Sequence, residues 1–170
     1  MKKLFINLIA LSLVSLGYSQ FNLEAKEVAL DEVTVSSLNA PYLRTVKVEE
    51  MPPSVYQLEN KAARFDITKS DQYKSYFEAY EVIFSQDNGK IVATYDKEGK
   101  IISSFERFNN ITLPSAVRNA IWKEHPGWAI KKDVYLVNYF GDQGVTRTCR
   151  VQLIKDGEKK NIKLDLDDIL

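Results

Sequence analysis

The chain has 170 residues, with 23 basic side chains, 23 acidic ones and a single histidine, and 45% of it is apolar. Balanced charge gives no field for nucleic acid or an anionic membrane, and the apolar content, 11% aromatic residues and lack of low-complexity tracts argue against bulk disorder. One cysteine, Cys149, excludes an intramolecular disulfide, and one cysteine with one histidine excludes a zinc site of soft ligands.

Residues 1–19 read as an export signal. Lys2 and Lys3 form its positive start, Leu4 to Leu16 is an apolar run broken by Asn7, Ser12 and Ser15, and Gly17-Tyr18-Ser19 places small residues before a cut at Gln20. The run is too short to span a bilayer comfortably, and no second one follows. No cysteine follows the cut, so no lipid anchor is expected, and the mature chain is predicted in the periplasm or the medium. Loss of Lys2 and Lys3 leaves 21 basic residues against 23 acidic.

Residues 20–50 are read as an N-terminal extension with one or two strands, at Glu32–Val35 and Arg44 to Val48. The stretch Leu30 to Val35 faintly resembles the short boxes by which outer-membrane receptors touch their energy transducer, but a first sheet strand is the better account.

Residues 51–170 form the predicted domain. Pro52-Pro53-Ser54-Val55 opens a helix whose apolar positions are Val55, Leu58, Ala62 and Phe65. Strands are expected over Tyr76 to Phe84, Lys90 to Tyr95 and Lys100 to Phe108, separated by Asp87-Asn88-Gly89 and by Asp96 to Gly99. Leu113-Pro114-Ser115-Ala116-Val117 then opens a second helix, which His125-Pro126-Gly127 ends because proline forces its predecessor out of helix. Lys132 to Phe140, Val145 to Lys155 and an alternating strand around Ile162, Leu164 and Leu166 follow, the last two joined at Asp156-Gly157. The fold class read from this order is α+β: two tandem repeats, each a helix followed by three antiparallel strands, with the helices packed on one face of the sheet.

Leu113-Pro114-x-x-Val117, then Pro126-Gly127-Trp128 and a run of meandering strands, resembles the PepSY-like family, in particular its small exported members of the Bacteroidetes type. The likeness covers roughly Met51 to Asp167. Two such units in tandem also resemble the beta-lactamase-inhibitory-protein family. The resemblance implies a non-enzymatic domain that binds or inhibits another exported or envelope protein, with no cofactor, no nucleic acid and no membrane anchor after cleavage. It carries over no individual contact residue.

Exported chains of this look are also labelled nicotinate-nucleotide adenylyltransferase, the named alternative activity. That enzyme family needs two histidines near a glycine and a second motif Ile-Ser-Ser-Thr-x-x-Arg. Here His125 stands alone, and Ile102-Ser103-Ser104 is followed by Phe105, with Arg107 one residue early. No Gly-rich phosphate loop appears. A small-ligand carrier is a further alternative, as is a purely structural envelope protein.

No catalytic residue and no metal ligand is assigned. Asp165, Asp167 and Asp168 lack the glycine turn and closing glutamate of a calcium loop and read as a frayed acidic end. Asn110-Ile111-Thr112 matches a glycosylation sequon but carries no weight behind a bacterial-looking signal. Cys149 lies among alternating apolar positions, apart from Arg147, and reads as a small buried hydrophobe. The binding candidates are Tyr76 and Tyr80 on one long strand, Tyr135 and Tyr139 on its counterpart, and Arg150 beside Thr146, Thr148 and Gln152. Tyrosines on an open sheet face anchor protein contacts with large area and little entropy to lose; rings at the core edge with hydroxyls reaching water fit the pattern too.

Overall fold

The computed structural model describes residues 37–170. The export segment and the strand expected at Glu32–Val35 lie outside the described residues. Among the described residues the protein is α+β, with helices α1 (Ala40–Val46), α2 (Pro53–Arg64) and α3 (Ser115–Glu124) and one six-stranded antiparallel sheet. Its strands are β1 (Ala79–Gln86), β2 (Gly89–Asp96), β3 (Ile101–Asn109), β4 (Ala129–Phe140), β5 (Gly144–Lys155) and β6 (Glu158–Asp165), and each pairs with the next in chain order. No helix among them is long and apolar enough to cross a membrane.

Local chemistry explains most boundaries. Pro52 sits extended before α2, and its carbonyl accepts from the Val55 amide at 3.0 Å. Pro53 occupies the first turn, where a missing donor costs nothing. α3 ends at His125, whose amide donates to Ile121 at 2.8 Å, and Gly127 then adopts φ +80°. The expected Asp156-Gly157 hairpin turn forms with φ of 49° and 87°, the left-handed pair that a two-residue connection needs.

Three expected boundaries differ; β4 starts at Ala129, three residues before the expected Lys132. Arg44 to Val48, read as strand, is the second half of α1 and its exit. Pro41 lies in that helix's first turn, and Tyr42 and Val46, one turn apart, are both buried. The alternation of Val46 and Val48 imitated a strand, but the Tyr42–Val46 spacing belongs to the helix. Tyr76 also lies outside β1, which starts only at Ala79.

Strand register sorts the side chains. One cross-strand row runs Phe84, Ile91, Glu106, Val137, Arg147, and the next two run Val82, Ala93, Ser104, Tyr139, Val145 and Gly89, Phe108, Tyr135, Cys149, Leu164. Most of these residues are buried, and they share a core cluster with Tyr42 and Val46 of α1, Val55, Leu58, Ala62 and Ala63 of α2, and Val117 and Ile121 of α3. Polar ties join the same elements. The Tyr95 hydroxyl donates to the Ala62 carbonyl at 2.7 Å. Asn39 donates to Gly99 O at 3.1 Å and accepts from the Ile101 amide at 2.8 Å.

Gly89 carries no side chain because Phe108 lies against it: a Cβ there would stand 2.7 Å from Phe108 Cδ1. Phe108 is fully buried and stacked on Tyr135 at 6.2 Å, so it has little room to retreat. Gly89→Ala is therefore expected to destabilise the domain by about 1 to 3 kcal/mol. Chemical denaturation checks this, and an unchanged midpoint would show that the ring moves freely.

Candidate functional site

The two parities of the strands carry two different sets of charged groups. On the core parity, Glu106 Oε1 accepts from the Tyr42 hydroxyl at 2.8 Å and from the Ser104 hydroxyl at 2.8 Å. Glu59 of α2 shares the helix's buried stripe, and both carboxyls are only 2% exposed. Arg147 reaches in from β5, with Nη1 2.6 Å from Asp167 Oδ1, its own amide 2.9 Å from Asp167 Oδ2, and Nη2 donating to the Thr45 carbonyl. Burial pushes the pKa of both glutamates upward; Glu106 adds to the rise at Glu59, and Arg147 opposes it at both. At Glu106 the Tyr42 and Ser104 hydrogen bonds oppose it as well. Burial first, then Glu106 and Glu59, likewise raises the Tyr42 phenol.

This cluster has the perturbed pKa values common at catalytic sites. Its burial instead makes it a tie between α1, α2, the sheet and the C-terminal turn, since neither carboxyl reaches solvent. Asp167 is held by Arg147, and fully buried Leu166 donates its amide to the Arg147 carbonyl at 2.9 Å. The end read as frayed is thus docked. Among the described residues no group of three or more His, Cys, Asp or Glu is placed to hold a metal.

The opposite parity faces outward. Ile83, Val92, Phe105 and Asn138 form one row, and Ser85, Lys90, Arg107, Leu136, Thr148 and Asp165 the next. Beyond these lies the row Asn109, Val134, Arg150, Lys163, then Lys132, Gln152, Asn161. Ile83 is 55% exposed and Phe105 50%, and Phe140 meets Phe105 edge-to-face at 5.6 Å. Around Arg150 the surface sinks into a depression of about 430 Å³ lined by Lys132, Gln152, Asn161 and Lys163 among others. Gln152 donates to Asn161 across it at 3.1 Å.

The tyrosine candidates do not converge on that surface. Tyr135 is fully buried, and Tyr139 is buried edge-to-face against Tyr42 at 5.3 Å. Tyr80 is buried, stacks on Tyr73 at 5.4 Å, and its hydroxyl accepts from the Lys74 amide at 2.9 Å. These three serve the core because their strand positions share the parity of Ile91 and Val151. Tyr76 is exposed beside Phe77, in the segment before β1. Of the five candidates only Arg150 stands on the outward face, with Thr146 and Gln152 on the same parity. Ser104 and Arg107, from the partial adenylyltransferase motif, point to opposite faces of β3.

The outward placement of Ile83, Lys90, Phe105, Arg107, Phe140 and Lys163 is not among the sequence expectations. The alternation is visible within each strand, but only the burial of neighbours such as Ile91 and Phe108 shows which set faces water. Cys149 is buried as expected, and burial, with Asp133 adding, pushes its thiol up to about 12.

The glutamate pair makes stability depend on pH. Between the ordinary carboxyl value of 4.5 and their raised folded values, the folded protein holds protons that the unfolded chain releases. The pair's contribution to stability is therefore fully present below 4.5 and falls as pH rises. Glu59→Gln should flatten that fall and exceed the parent at pH 8 by on the order of 1 to 3 kcal/mol. Denaturation midpoints from pH 4 to pH 9 check both, and equal slopes in parent and variant would remove Glu59 from the account.

Comparison of the chain with protein-family models, with curated proteins and with solved structures finds no match in any of the three.

Proposed function

We propose that this protein is an exported, non-enzymatic binding protein of PepSY-like build that holds another envelope or secreted protein against the outward face of its sheet. In this reading the domain is two tandem units, α2 with β1–β3 and α3 with β4–β6, and the helices cover one face only. The element order and the core cluster shared by helices and strands support that arrangement.

The observation that carries the function is the row Ile83, Val92, Phe105 with Phe140 beside it. Ile83 and Phe105 stand about half exposed on β1 and β3, with half-buried Val92 between them on β2 and half-buried Phe140 against Phe105, where an isolated domain gains nothing from the exposure. Contiguous apolar surface rimmed by polar residues is the usual mark of a protein contact. Rigid rings and β-branched side chains on a sheet give up little entropy when covered.

Two measurements test the proposal. Intact-mass analysis of the protein from an extracytoplasmic fraction is expected to show a start near Gln20; uncut Met1 in the cytoplasm would end the export reading. Mature protein used as bait in envelope extract is expected to retain a partner whose affinity falls at least about tenfold when Ile83→Ala and Phe105→Ala are combined. Both residues are half-exposed, so the variant folds. A partner indifferent to that pair would place binding elsewhere.

A further inference from the structure

On the same outward face, cations stand directly opposite cations: Lys90 is the cross-strand partner of Arg107, and Arg150 that of Lys163. All four are exposed, and none lies within ion-pair distance of a carboxylate among the described residues. Like charges directly opposite destabilise a sheet, and one residue of opposite sign in either pair would relieve it. The acidic groups of this parity, Glu81, Asp96 and Asp165, stand opposite Thr94, Ala79 and Thr148 and not opposite any of the four cations. Asp165 instead accepts from the Asp167 amide at 3.2 Å. The charge pattern thus works against the isolated domain twice, on one face, beside its exposed apolar row.

We infer that the outward face recognises a protein segment carrying two acidic clusters, one set against Lys90 and Arg107 and the other against Arg150 and Lys163, with an apolar stretch between them. Leu136 and Val134 of β4 lie between the two cation pairs and would meet that stretch. The pairs are three strand spacings apart and offset by two residues along the strands, a separation of about 15 Å. An extended segment covers that distance in about four or five residues. Lys132 and the Gln152–Asn161 amide pair add donors at the second cluster, around the depression.

A single-stranded nucleic acid would also answer to cations and aromatic rings, but it binds by stacking bases on ring faces. Phe105 and Phe140 meet at an interplanar angle of 83°, each engaged with the other, and the remaining apolar residues of the face are aliphatic. That geometry favours a protein segment. The inference rests on the outward-face reading above and supplies the chemistry of its partner.

The test uses the mature protein and fluorescein-labelled peptides in which two Asp-Asp pairs flank a Leu-containing spacer of one, four or nine residues, read by fluorescence anisotropy. The four-residue spacer is expected to bind at least about fivefold tighter than the one-residue spacer. Lys90→Gln with Arg107→Gln, and separately Arg150→Gln with Lys163→Gln, should each weaken it about tenfold and reduce its salt dependence. Both double variants should melt no lower than the parent, since each relieves a repulsion. Equal affinity for all spacers, indifference to either double variant, or tighter binding of an oligo-dT of equal charge would overturn the inference. An envelope partner lost on combining Ile83→Ala and Phe105→Ala but kept by both charge variants would overturn it while leaving the outward-face reading intact.

Discussion

Everything in this domain depends on an unbroken pairing register from β1 to β6. Side chains alternate with a period of two, so a row such as Phe84, Ile91, Glu106, Val137, Arg147 stays on one face only while every pairing holds. A slip of one residue anywhere would turn Phe105 and Arg107 into the core and Glu106 and Phe108 into water. The two irregularities, between Thr94 and Tyr95 and between Ile130 and Lys132, fall at strand ends, where they leave that alternation intact. Gly89 belongs to the same constraint, because it lets Phe108 lie flat at the end of its row.

Within the core, the register places acidic groups where an all-apolar layer would suffice. Glu106 sits two strands from Arg147 in the same row, and Glu59 approaches from α2. A buried carboxyl is costly unless it is neutral or well bonded. Here both costs are partly met, by raised pKa values and by the hydroxyls of Tyr42 and Ser104. Glu106 Oε2, the Tyr135 hydroxyl and Arg147 Nε find no partner among the described residues. The cluster ties α1 and the C-terminal turn to the sheet, since Arg147 binds both Thr45 and Asp167 and Glu106 accepts from Tyr42.

Much of the fold was legible. Pro-Ser openings, the His-Pro-Gly stop and the Asp-Gly turn are local signals, because each acts through backbone sterics within three or four residues. The anomaly of the inner set was visible too. Arg147 stood alone among alternating apolar positions, and Glu59 lay four residues after Val55 on the apolar stripe of α2. Both were signs of a buried polar group. The tyrosines misled because a Tyr suits a core position and an exposed one equally well, and ring size does not choose between them. Arg44 to Val48 misled because two valines two residues apart look like a strand until Tyr42 is seen packing one turn before Val46.

The sequence by itself determined the order of the helices and strands from Pro53 onward, the class of the fold, the burial of Cys149 and the hairpin at Asp156-Gly157, since these follow from short-range geometry and hydrophobic period. Only the tertiary structure decided which parity of each strand faces water and which residues stand opposite one another. Lys90 and Arg107 are 17 positions apart, and Arg150 and Lys163 are 13 apart, yet each pair stands directly opposite across neighbouring strands. The pairing of strands, fixed by cooperative burial across the whole sheet, brings them together, and no local pattern in a single strand encodes it.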